Sequence, residues 1–338
     1  MKKINIAICG IGHWGRNYVR VFDEIQKNCV TWCCDLKESN LAFVSERYSH
    51  IPVTRSIDDV LKDSKTRAIV IATSATTHYT LVKKCLESGK DVLVEKPLTL
   101  KVSEAQELNR LAKLHGRILM VGHTFLYNNG VRKAKELIRA GEIGKIYYLK
   151  AVRSHLGLIR EDVNVAWDLA THDVSIFNYL LDKEPIRIQA FGARFLNTNR
   201  DDAAFITLKY DQELLAHIHV SWADSNKQRT VEIVGSKGRI LFDDLNTLEP
   251  VRLFQRGISL DHNVSNFGEY KYLLRDGDII SPNIKMQEPL RIQSEHFLEC
   301  IHKRKIPLTD GKHGLQVVIA MCKMSQSLKD TRAQGPEL

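Results

Sequence analysis

Short apolar runs alternate with helical patterns through the first third of the chain. The apolar runs are rich in β-branched residues and occupy residues 3–8, 30–34, 68–72, 91–94 and 118–121. Between them, apolar positions recur at three- and four-residue steps at residues 16–27, 38–48, 78–88 and 103–115. Strands that alternate with helices form a parallel sheet. The pattern therefore predicts an α/β domain with a doubly wound, Rossmann-type parallel sheet over residues 1–122.

The pattern changes in the rest of the chain. Alternating or β-rich segments predict strands at residues 146–154, 186–196, 203–209, 214–222, 229–234 and 238–242, with a hairpin turn at 235–238. Residues 245–288 are polar and irregular and predict an extended loop or subdomain, and helical patterns return at 289–304 and 313–329. We expect a second, α+β domain over residues 123–330, followed by a disordered tail at 331–338.

Composition narrows the class of protein. The chain has 338 residues, with 43% hydrophobic and 26% charged residues, as expected for a two-domain globular protein. No apolar run approaches the roughly twenty residues of a membrane span, and no cleavable signal is evident, so we expect a cytoplasmic protein without a membrane partner. The seven cysteines form no C-x-x-C pair and predict reduced structural thiols. The net charge of +9 suits anionic small molecules, but the cations are scattered, so no nucleic-acid partner is expected.

The first predicted strand ends in a glycine motif. Gly10, Gly12 and Gly15 have G-x-G-x-x-G spacing between a strand and a helix, the context that makes this motif specific for a dinucleotide. The three glycines permit the tight turn, the approach of the pyrophosphate and close helix packing, respectively. His13 and Trp14, in the same turn, are assigned to the cofactor site.

The second predicted strand ends in a carboxylate that bears on the choice of cofactor. Asp35 follows Gly15 by twenty residues, where a carboxylate accepts hydrogen bonds from the adenosine ribose and repels a 2′-phosphate. This favours NAD over NADP, although Lys37 can partly offset the repulsion. A glycine-rich turn without any ligand is the alternative interpretation.

The segment Glu95-Lys96-Pro97-Leu98 follows the strand at 91–94. Ligands of an open parallel sheet lie beyond the carboxyl ends of its strands, so Lys96 is expected to project into the cofactor crevice. A cis peptide before Pro97 would hold Lys96 in one orientation. The alternative is a surface lysine in an ordinary loop.

A helix predicted over "NVAWDLATHDVSIF", residues 164–177, places Asp168 and His172 four residues apart on one side. A histidine oriented by a carboxylate can act as a general base in a reaction that removes a proton. A core histidine, or two metal ligands, are the alternatives. No third ligand is evident, so no metal is predicted.

Together these motifs resemble the Gfo/Idh/MocA family of NAD(P)-dependent oxidoreductases. "TSATTH" (73–78), "VGHTFLYN" (121–128) and "VEIVGSKGRILFDD" (231–244) are also similar to that family, and the 164–177 helix is most similar to its sugar-nucleotide branch, which includes UDP-N-acetylglucosamine 3-dehydrogenases. Thr171 and Ser74 depart from the proline common at these positions. The resemblance implies an open, mostly antiparallel sheet in the second domain, one face of which packs on another subunit in a homodimer or homotetramer.

The motifs and the resemblance together give the expected site. The catalytic set is Lys96, Asp168 and His172, with His172 the favoured base and Lys96 stabilising the alkoxide. The cofactor-binding residues are Gly10, Gly12, His13, Trp14, Gly15, Asp35, Thr73, His78, Glu95 and Lys96, and the substrate-binding residues are Tyr127, Asn128, Arg153 and Asn164. The expected reaction is NAD-dependent oxidation of a ring hydroxyl of a UDP-sugar. A dehydrogenase of a neutral sugar or inositol and a non-catalytic NAD-binding sensor are the alternatives.

Overall fold

A computed structural model describes residues 3–157, 159–196, 199–260 and 272–333. The chain forms two compact units. The first contains the residues up to Tyr127 together with Gln287–Cys322, and the second contains Asn128–Met286 together with the residues from Lys323 onward. None of the described helices is long and apolar enough to cross a membrane.

The helices of both units, in chain order, are α1 (His13–Ile25), α2 (Glu38–Arg47), α3 (Ile57–Lys62), α4 (Ala75–Glu87), α5 (Val102–Leu114), α6 (Asn129–Arg139), α7 (Thr171–Leu181), α8 (Pro289–Lys303) and α9 (Gly311–Ala333). A 3₁₀ turn spans Thr124–Tyr127, and a π turn at Ala166–Ala170 runs directly into α7. π turns are rare and occur often at functional sites.

The first unit is built on a parallel sheet of six strands. They are β1 (Ile6–Cys9), β2 (Val30–Cys34), β3 (Val53–Thr54), β4 (Ala68–Ile71), β5 (Asp91–Glu95) and β6 (Leu119–Gly122). Their order is β3-β2-β1-β4-β5-β6, the Rossmann order, in which the strand order reverses between β1 and β4 while all six strands stay parallel. The strands are apolar on both faces because helices cover both. This confirms the predicted doubly wound sheet.

The second unit is built on an open sheet of eight strands, in the order β16-β13-β12-β11-β7-β10-β9-β8. The strands of this unit are β7 (Ile146–Leu156), β8 (Arg187–Ala193), β9 (Ala203–Lys209), β10 (Leu215–Ser221), β11 (Ala223–Gly235), β12 (Arg239–Asp243), β13 (Val251–Phe254), β14 (Gly257–Leu260), β15 (Tyr272–Arg275) and β16 (Ile279–Ile280). All neighbours in the large sheet are antiparallel except β7 and β10. The mostly antiparallel open sheet is confirmed, and the predicted turn at 235–238 joins β11 to β12.

Three details differ from the sequence-based expectations. The segment 245–288 contains the short strands β13 to β16, which are too brief to show alternation, and its residues 261–271 lie outside the described part of the chain. Residues 331–333 continue α9, where Thr331 donates to the Ala190 carbonyl, whereas residues 334–338 of the expected tail lie outside the described residues.

The third difference is the division of the chain. Helix α8 belongs to the first unit, although the sequence places all of residues 123–330 in the second domain. The reason is packing of α8 against α1, where Gln293 Nε2 donates to the Tyr18 hydroxyl at 2.7 Å. Sequence periodicity finds a helix but does not show which sheet it returns to cover.

Candidate active site

The glycine turn lies between β1 and α1. Gly10 has a φ of +90°, and a Cβ there would lie 2.7 Å from the Ala72 backbone, so only glycine fits. A Cβ on Gly15 would lie 1.8 Å from the Gly10 carbonyl oxygen, which brings α1 close to the strand. By contrast, no described atom lies within 4 Å of a Cβ built on Gly12. The turn thus leaves open space where a pyrophosphate would approach the backbone.

The Asp35 carboxylate ties the end of β2 to this turn. Its Oδ2 accepts the Ile11 backbone N–H at 2.6 Å and the Asn40 amide at 3.1 Å, and its Oδ1 accepts the Lys37 backbone N–H at 2.8 Å. A carboxylate offers about four lone-pair positions, so one remains for a ribose hydroxyl.

A cavity of about 690 Å³ opens beside the turn. It is lined by the glycine turn, the end of β2 and the start of α4, among them Gly10, Gly12, Asp35, Asn40, Arg55 and Thr73. Exposed glycine backbone suits phosphate and a carboxylate suits ribose, so these residues fit the adenosine half of a dinucleotide. Sequence reasoning missed Arg55 and Asn40, because Arg55 follows the two-residue strand β3 and Asn40 has no motif around it.

His13 and Trp14 open α1, as the motif predicts. Both side chains are exposed, and their rings meet edge to face with centroids 5.7 Å apart. Thr73 is one of the residues that line the cavity.

The loop that carries Lys96 is held from two sides. The Lys96–Pro97 peptide is cis, as anticipated from the sequence. The His78 ring nitrogens lie 2.8 Å from the Pro97 carbonyl oxygen and 3.1 Å from the Thr73 carbonyl oxygen, so His78 joins this loop to the end of β4. On the other side, the Glu95 carboxylate accepts the Lys96 backbone N–H at 3.2 Å. The predicted cofactor residues His78 and Glu95 thus both position the Lys96 loop.

Glu95 belongs to a buried hydrogen-bond chain that the sequence did not reveal. The Tyr18 hydroxyl donates to Glu95 Oε1 at 2.7 Å and accepts from Gln293, whose Oε1 accepts the Thr124 hydroxyl at 2.8 Å. Burial and the Glu95 carboxylate raise the pKa of Tyr18 well above its ordinary value, so it remains a neutral donor. Tyr18 lies on the apolar face of α1, so its position in the sequence predicts a core residue. Gln293 is too distant in the sequence for its hydrogen bond with Tyr18 to be predicted.

Two buried imidazoles lie near Lys96 within the first unit. The His123 and His313 rings meet edge to face with centroids 5.2 Å apart, and neither ring nitrogen of His123 has a hydrogen-bond partner among the described residues. Burial, followed by the charges of His313 and Lys96, lowers the pKa of His123 well below its ordinary value. Burial likewise lowers the pKa of His313 to about 4. Both rings are therefore neutral near pH 7.

In the second unit, Asp168 lies in the π turn and His172 in the first turn of α7. Asp168 Oδ1 accepts from Arg160 at 3.4 Å and its Oδ2 accepts the Trp222 indole N–H at 3.3 Å. Both contacts are long but orient the carboxylate. Arg160 and Trp222 carry no motif signal and were not anticipated. Trp167 is buried and donates to the Ser325 hydroxyl at 2.8 Å, which makes it a core residue.

The four residues expected to bind substrate all make internal contacts. The Tyr127 hydroxyl lies 3.1 Å from Thr309 Oγ1 in the first unit. In the second unit, Asn128 caps α6 through the Gly130 N–H, and Asn164 accepts the Trp167 backbone N–H at 3.1 Å. Arg153 is paired with Asp173. Each of the four side chains thus has a contact within the protein, and its role toward a substrate stays a prediction.

The Arg153–Asp173 pair joins β7 to α7 inside the second unit. Arg153 Nη2 donates to Asp173 Oδ1 at 2.8 Å, with the side chains 4% and 0% exposed. Burial raises the pKa of Asp173 above its ordinary value, although Arg153 opposes that shift. Arg153 was expected to meet a diphosphate, but here its guanidinium neutralises a buried carboxylate.

Replacing Arg153 with methionine is expected to lower the free energy of unfolding by about 3–5 kcal/mol, because Asp173 would be stranded in the core. The double variant Arg153→Met/Asp173→Leu should recover most of that loss, since it removes both charges. Urea denaturation of the wild type and both variants measures the two differences. A single-variant loss below about 1 kcal/mol would contradict the buried-pair assignment.

No group of three or more His, Cys, Asp or Glu side chains arranged to hold a metal ion occurs in the described ranges.

The parallel sheet in Rossmann order, the glycine turn and the cavity beside Asp35 define the first unit as a dinucleotide-binding domain.

Comparison with protein families agrees. Residues 4–123 match the oxidoreductase family with an NAD-binding Rossmann fold, and residues 131–241 match the GFO/IDH/MocA C-terminal domain. The chain belongs to the Gfo/Idh/MocA oxidoreductase family, which confirms the resemblance drawn from its motifs.

Individual relatives span much of the chain at low identity. A scyllo-inositol 2-dehydrogenase (NAD(+)) of Bacillus subtilis is 28% identical over 279 residues, which cover 78% of this chain and 76% of the relative. Among solved structures, the UDP-N-acetylglucosamine 3-dehydrogenase GnnA of Acidithiobacillus ferrooxidans has a TM-score of 0.80 at 23% identity and covers 98% of this chain and 99% of its own. The WlbA dehydrogenase of Bordetella pertussis, in complex with NADH and UDP-GlcNAcA, has a TM-score of 0.79 at 18% identity, with 98% of each chain covered. At these identities the structural matches establish the fold.

Proposed function

We propose that this protein is an NAD-dependent dehydrogenase that oxidises the 3-hydroxyl of UDP-N-acetylglucosamine to the 3-keto sugar. The observation that carries the substrate assignment is the likeness to GnnA along 98% of the chain. The WlbA complex, which holds NADH and UDP-GlcNAcA, supports the same substrate class. The family supports the reaction type, an oxidation of CH–OH.

The proposed catalytic set is Lys96, Asp168 and His172. Oxidising a secondary alcohol removes a hydride from carbon and a proton from oxygen, and NAD, when bound, would supply the acceptor for the hydride. In the proposal His172 takes the hydroxyl proton and Asp168 steadies the charge that His172 acquires. The Lys96 ammonium stabilises the negative charge that develops on the substrate oxygen. The His78 bridge supports this role, because its contacts with the Pro97 and Thr73 carbonyl oxygens fix the loop that presents Lys96.

A dehydrogenase of a neutral cyclitol is the second candidate, favoured by the 28% identity to the inositol dehydrogenase. The test is to incubate the pure protein with NAD and, separately, UDP-N-acetylglucosamine, UDP-glucose, N-acetylglucosamine and myo-inositol, while following NADH absorbance. We expect UDP-N-acetylglucosamine to give the highest kcat/KM. A faster reaction with myo-inositol would replace the first proposal with the second, and NAD binding without turnover on any alcohol would indicate a sensor.

Asp35 is expected to make NAD bind at least about tenfold more tightly than NADP, a difference of about 1.4 kcal/mol. The reason is repulsion between its carboxylate and a 2′-phosphate. Titrations that give Kd for both cofactors check the ratio. Equal affinities would mean that the cations Lys37 and Arg55, which line the same cavity, dominate.

Asp35→Asn is the sharpest variant for that ratio, because it removes the charge but keeps an oxygen for the Ile11 N–H. We expect this variant to reduce the ratio of the NADP Kd to the NAD Kd. Lys37→Ala and Arg55→Ala are the matched controls. Each removes a cation from the cavity wall and should increase that ratio.

One face of the open sheet is expected to pack against another subunit in a homodimer or homotetramer. Residues on that face include Phe191 and Phe205, at 57% and 51% exposure, with Leu215 and Tyr148 at 45% and 46%. Phe191, Phe205 and His219 are register partners across three strands, so they form a continuous row. Exposed apolar patches of this kind mark interfaces.

Light scattering at micromolar concentration is expected to give the mass of a dimer or tetramer. Phe205→Asp should shift the protein toward the monomer, because it places a charge within the apolar row. Leu248→Asp is the matched control, since Leu248 is 90% exposed and outside that row, and it should leave the mass unchanged. A stable wild-type monomer would refute the expectation.

A further inference from the structure

Two cysteines lie side by side where β1 and β2 end. Cys9 and Cys34 are register partners in the parallel ladder, so their Cα atoms are about 4.8 Å apart, within the range that a disulfide spans. Both side chains belong to the same apolar cluster on one face of the sheet. Cys33, the neighbour of Cys34 in β2, is paired instead with Ile8 and faces the opposite side.

The pair forms part of the wall of the dinucleotide cavity. Cys9 and Cys34 line it together with Gly10, Gly12 and Asp35. Their exposures of 2% and 7% are small, so the cavity itself is the route by which a small molecule would reach them. A dinucleotide whose adenosine half fills the cavity would close that route. This step rests on the proposed cofactor site.

The electrostatics single out Cys34 among the seven cysteines, all of which are in the described part of the chain. A hydrogen bond from the Cys9 thiol lowers the pKa of Cys34, and the same contact raises the pKa of Cys9 well above its ordinary value. Burial raises the pKa of Cys29, Cys33 and Cys85 to about 12 and that of Cys300 to about 11, and it also raises the pKa of Cys322. The thiolate is the reactive form, so Cys34 has the greatest thiolate character.

We propose that Cys34 is an oxidation site in the wall of the dinucleotide cavity, open to hydroperoxides when the cavity is empty, shielded when NAD fills it, and resolved by Cys9. In the first step the Cys34 sulfur attacks one oxygen of hydrogen peroxide and the O–O bond breaks. Cys34 becomes a sulfenic acid, oxidised by two electrons, and the departing hydroxide takes a proton to form water. In the second step the Cys9 sulfur attacks the Cys34 sulfur, the S–O bond breaks, and a second water leaves with the Cys9 proton.

The test treats the full-length protein with hydrogen peroxide, blocks the remaining thiols with iodoacetamide, and maps the peptides by mass spectrometry. Without NAD we expect a Cys9–Cys34 disulfide to form before any other cysteine is oxidised. With NAD at about ten times its Kd, about a tenth of the sites are empty, so disulfide formation should slow about tenfold. Earlier oxidation of another cysteine, or none at Cys34, would overturn the proposal.

Three variants separate the roles of the two thiols. Cys9→Ala should stop at the sulfenic acid, which dimedone traps on Cys34, and Cys34→Ala should leave Cys9 reduced. Cys33→Ala is the matched control on the same strand and should still form the disulfide. Oxidation of Cys9 in Cys34→Ala at the wild-type rate would overturn the order of the two steps. If a variant fails to fold, the peptide map of the oxidised wild-type protein decides the proposal.

NAD binding and thiol reactivity are measured independently of each other. Quenching of protein fluorescence measures NAD binding. If NAD does not bind, the proposed function fails, whereas the peptide map without NAD still decides whether Cys9 and Cys34 form the reactive pair. If NAD binds but does not slow the oxidation, shielding by the cofactor is overturned.

Discussion

Lys96→Met is expected to lower turnover by about two to four orders of magnitude while NAD still binds. Methionine keeps an unbranched side chain as far as Cε and removes the ammonium, whose electrostatic contribution has about that size. The contacts that hold the loop, from His78 to the Pro97 carbonyl and from the Lys96 N–H to Glu95, do not involve the ammonium, so the backbone should be retained. Steady-state kinetics and a separate NAD titration measure the two effects.

Lys101→Met is the matched control, because Lys101 lies four residues beyond Pro97 and is 73% exposed. It should leave turnover and NAD affinity near the wild-type values. Near-normal turnover of Lys96→Met on the true substrate would remove Lys96 from the proposed catalytic set.

Variants in the second unit complete the comparison. His172→Asn should reduce turnover about as much as Lys96→Met, and Asp168→Asn less, as expected for a group that steadies the base and does not itself take the proton. Steady-state kinetics on the true substrate measure these losses. Near-normal turnover of His172→Asn would remove His172 from the proposed catalytic set.

The sheet of the first unit could be predicted because its information is local. Five of its six strands are apolar runs, and the glycine spacing marks the turn after β1 without reference to distant residues. The strand β3 has two residues and helix α3 has six, too few to show a period, and both were missed. Arg55 was missed with them, although it lines the cofactor cavity.

Contacts between distant segments could not be predicted in the same way. A charged residue in sequence reads as exposed, yet Arg153 and Asp173 neutralise each other inside the second unit. Tyr18 and Gln293 are 275 residues apart and meet only because α8 returns to α1. Such pairs depend on which elements pack together, and single-residue patterns carry no signal of it. This is also why the internal partners of Tyr127, Asn128, Arg153 and Asn164 could not be predicted from the sequence.

The uridine diphosphate group is expected to have a large effect on the rate of oxidation. UDP-N-acetylglucosamine should be oxidised with a kcat/KM at least about a hundredfold above that of free N-acetylglucosamine, a difference of about 2.7 kcal/mol. Both sugars have the same reacting hydroxyl, so the gain must come from binding the remote uridine diphosphate. The net charge of +9 favours such an anion, and because Arg153 is paired with Asp173, the proposal assigns the diphosphate to other cations.

Competition by UDP gives the matched control for that ratio. UDP should inhibit oxidation of UDP-N-acetylglucosamine competitively, since it carries the remote binding group without the reacting sugar. The keto product is best removed by a coupled aminotransferase, so that equilibrium does not limit the measured rate. The free sugar and the nucleotide sugar could instead have equal kcat/KM values, without inhibition by UDP. That result would show that the site does not bind the uridine diphosphate group. The neutral sugar or cyclitol dehydrogenase would then be the better assignment, because its substrates need no diphosphate contact.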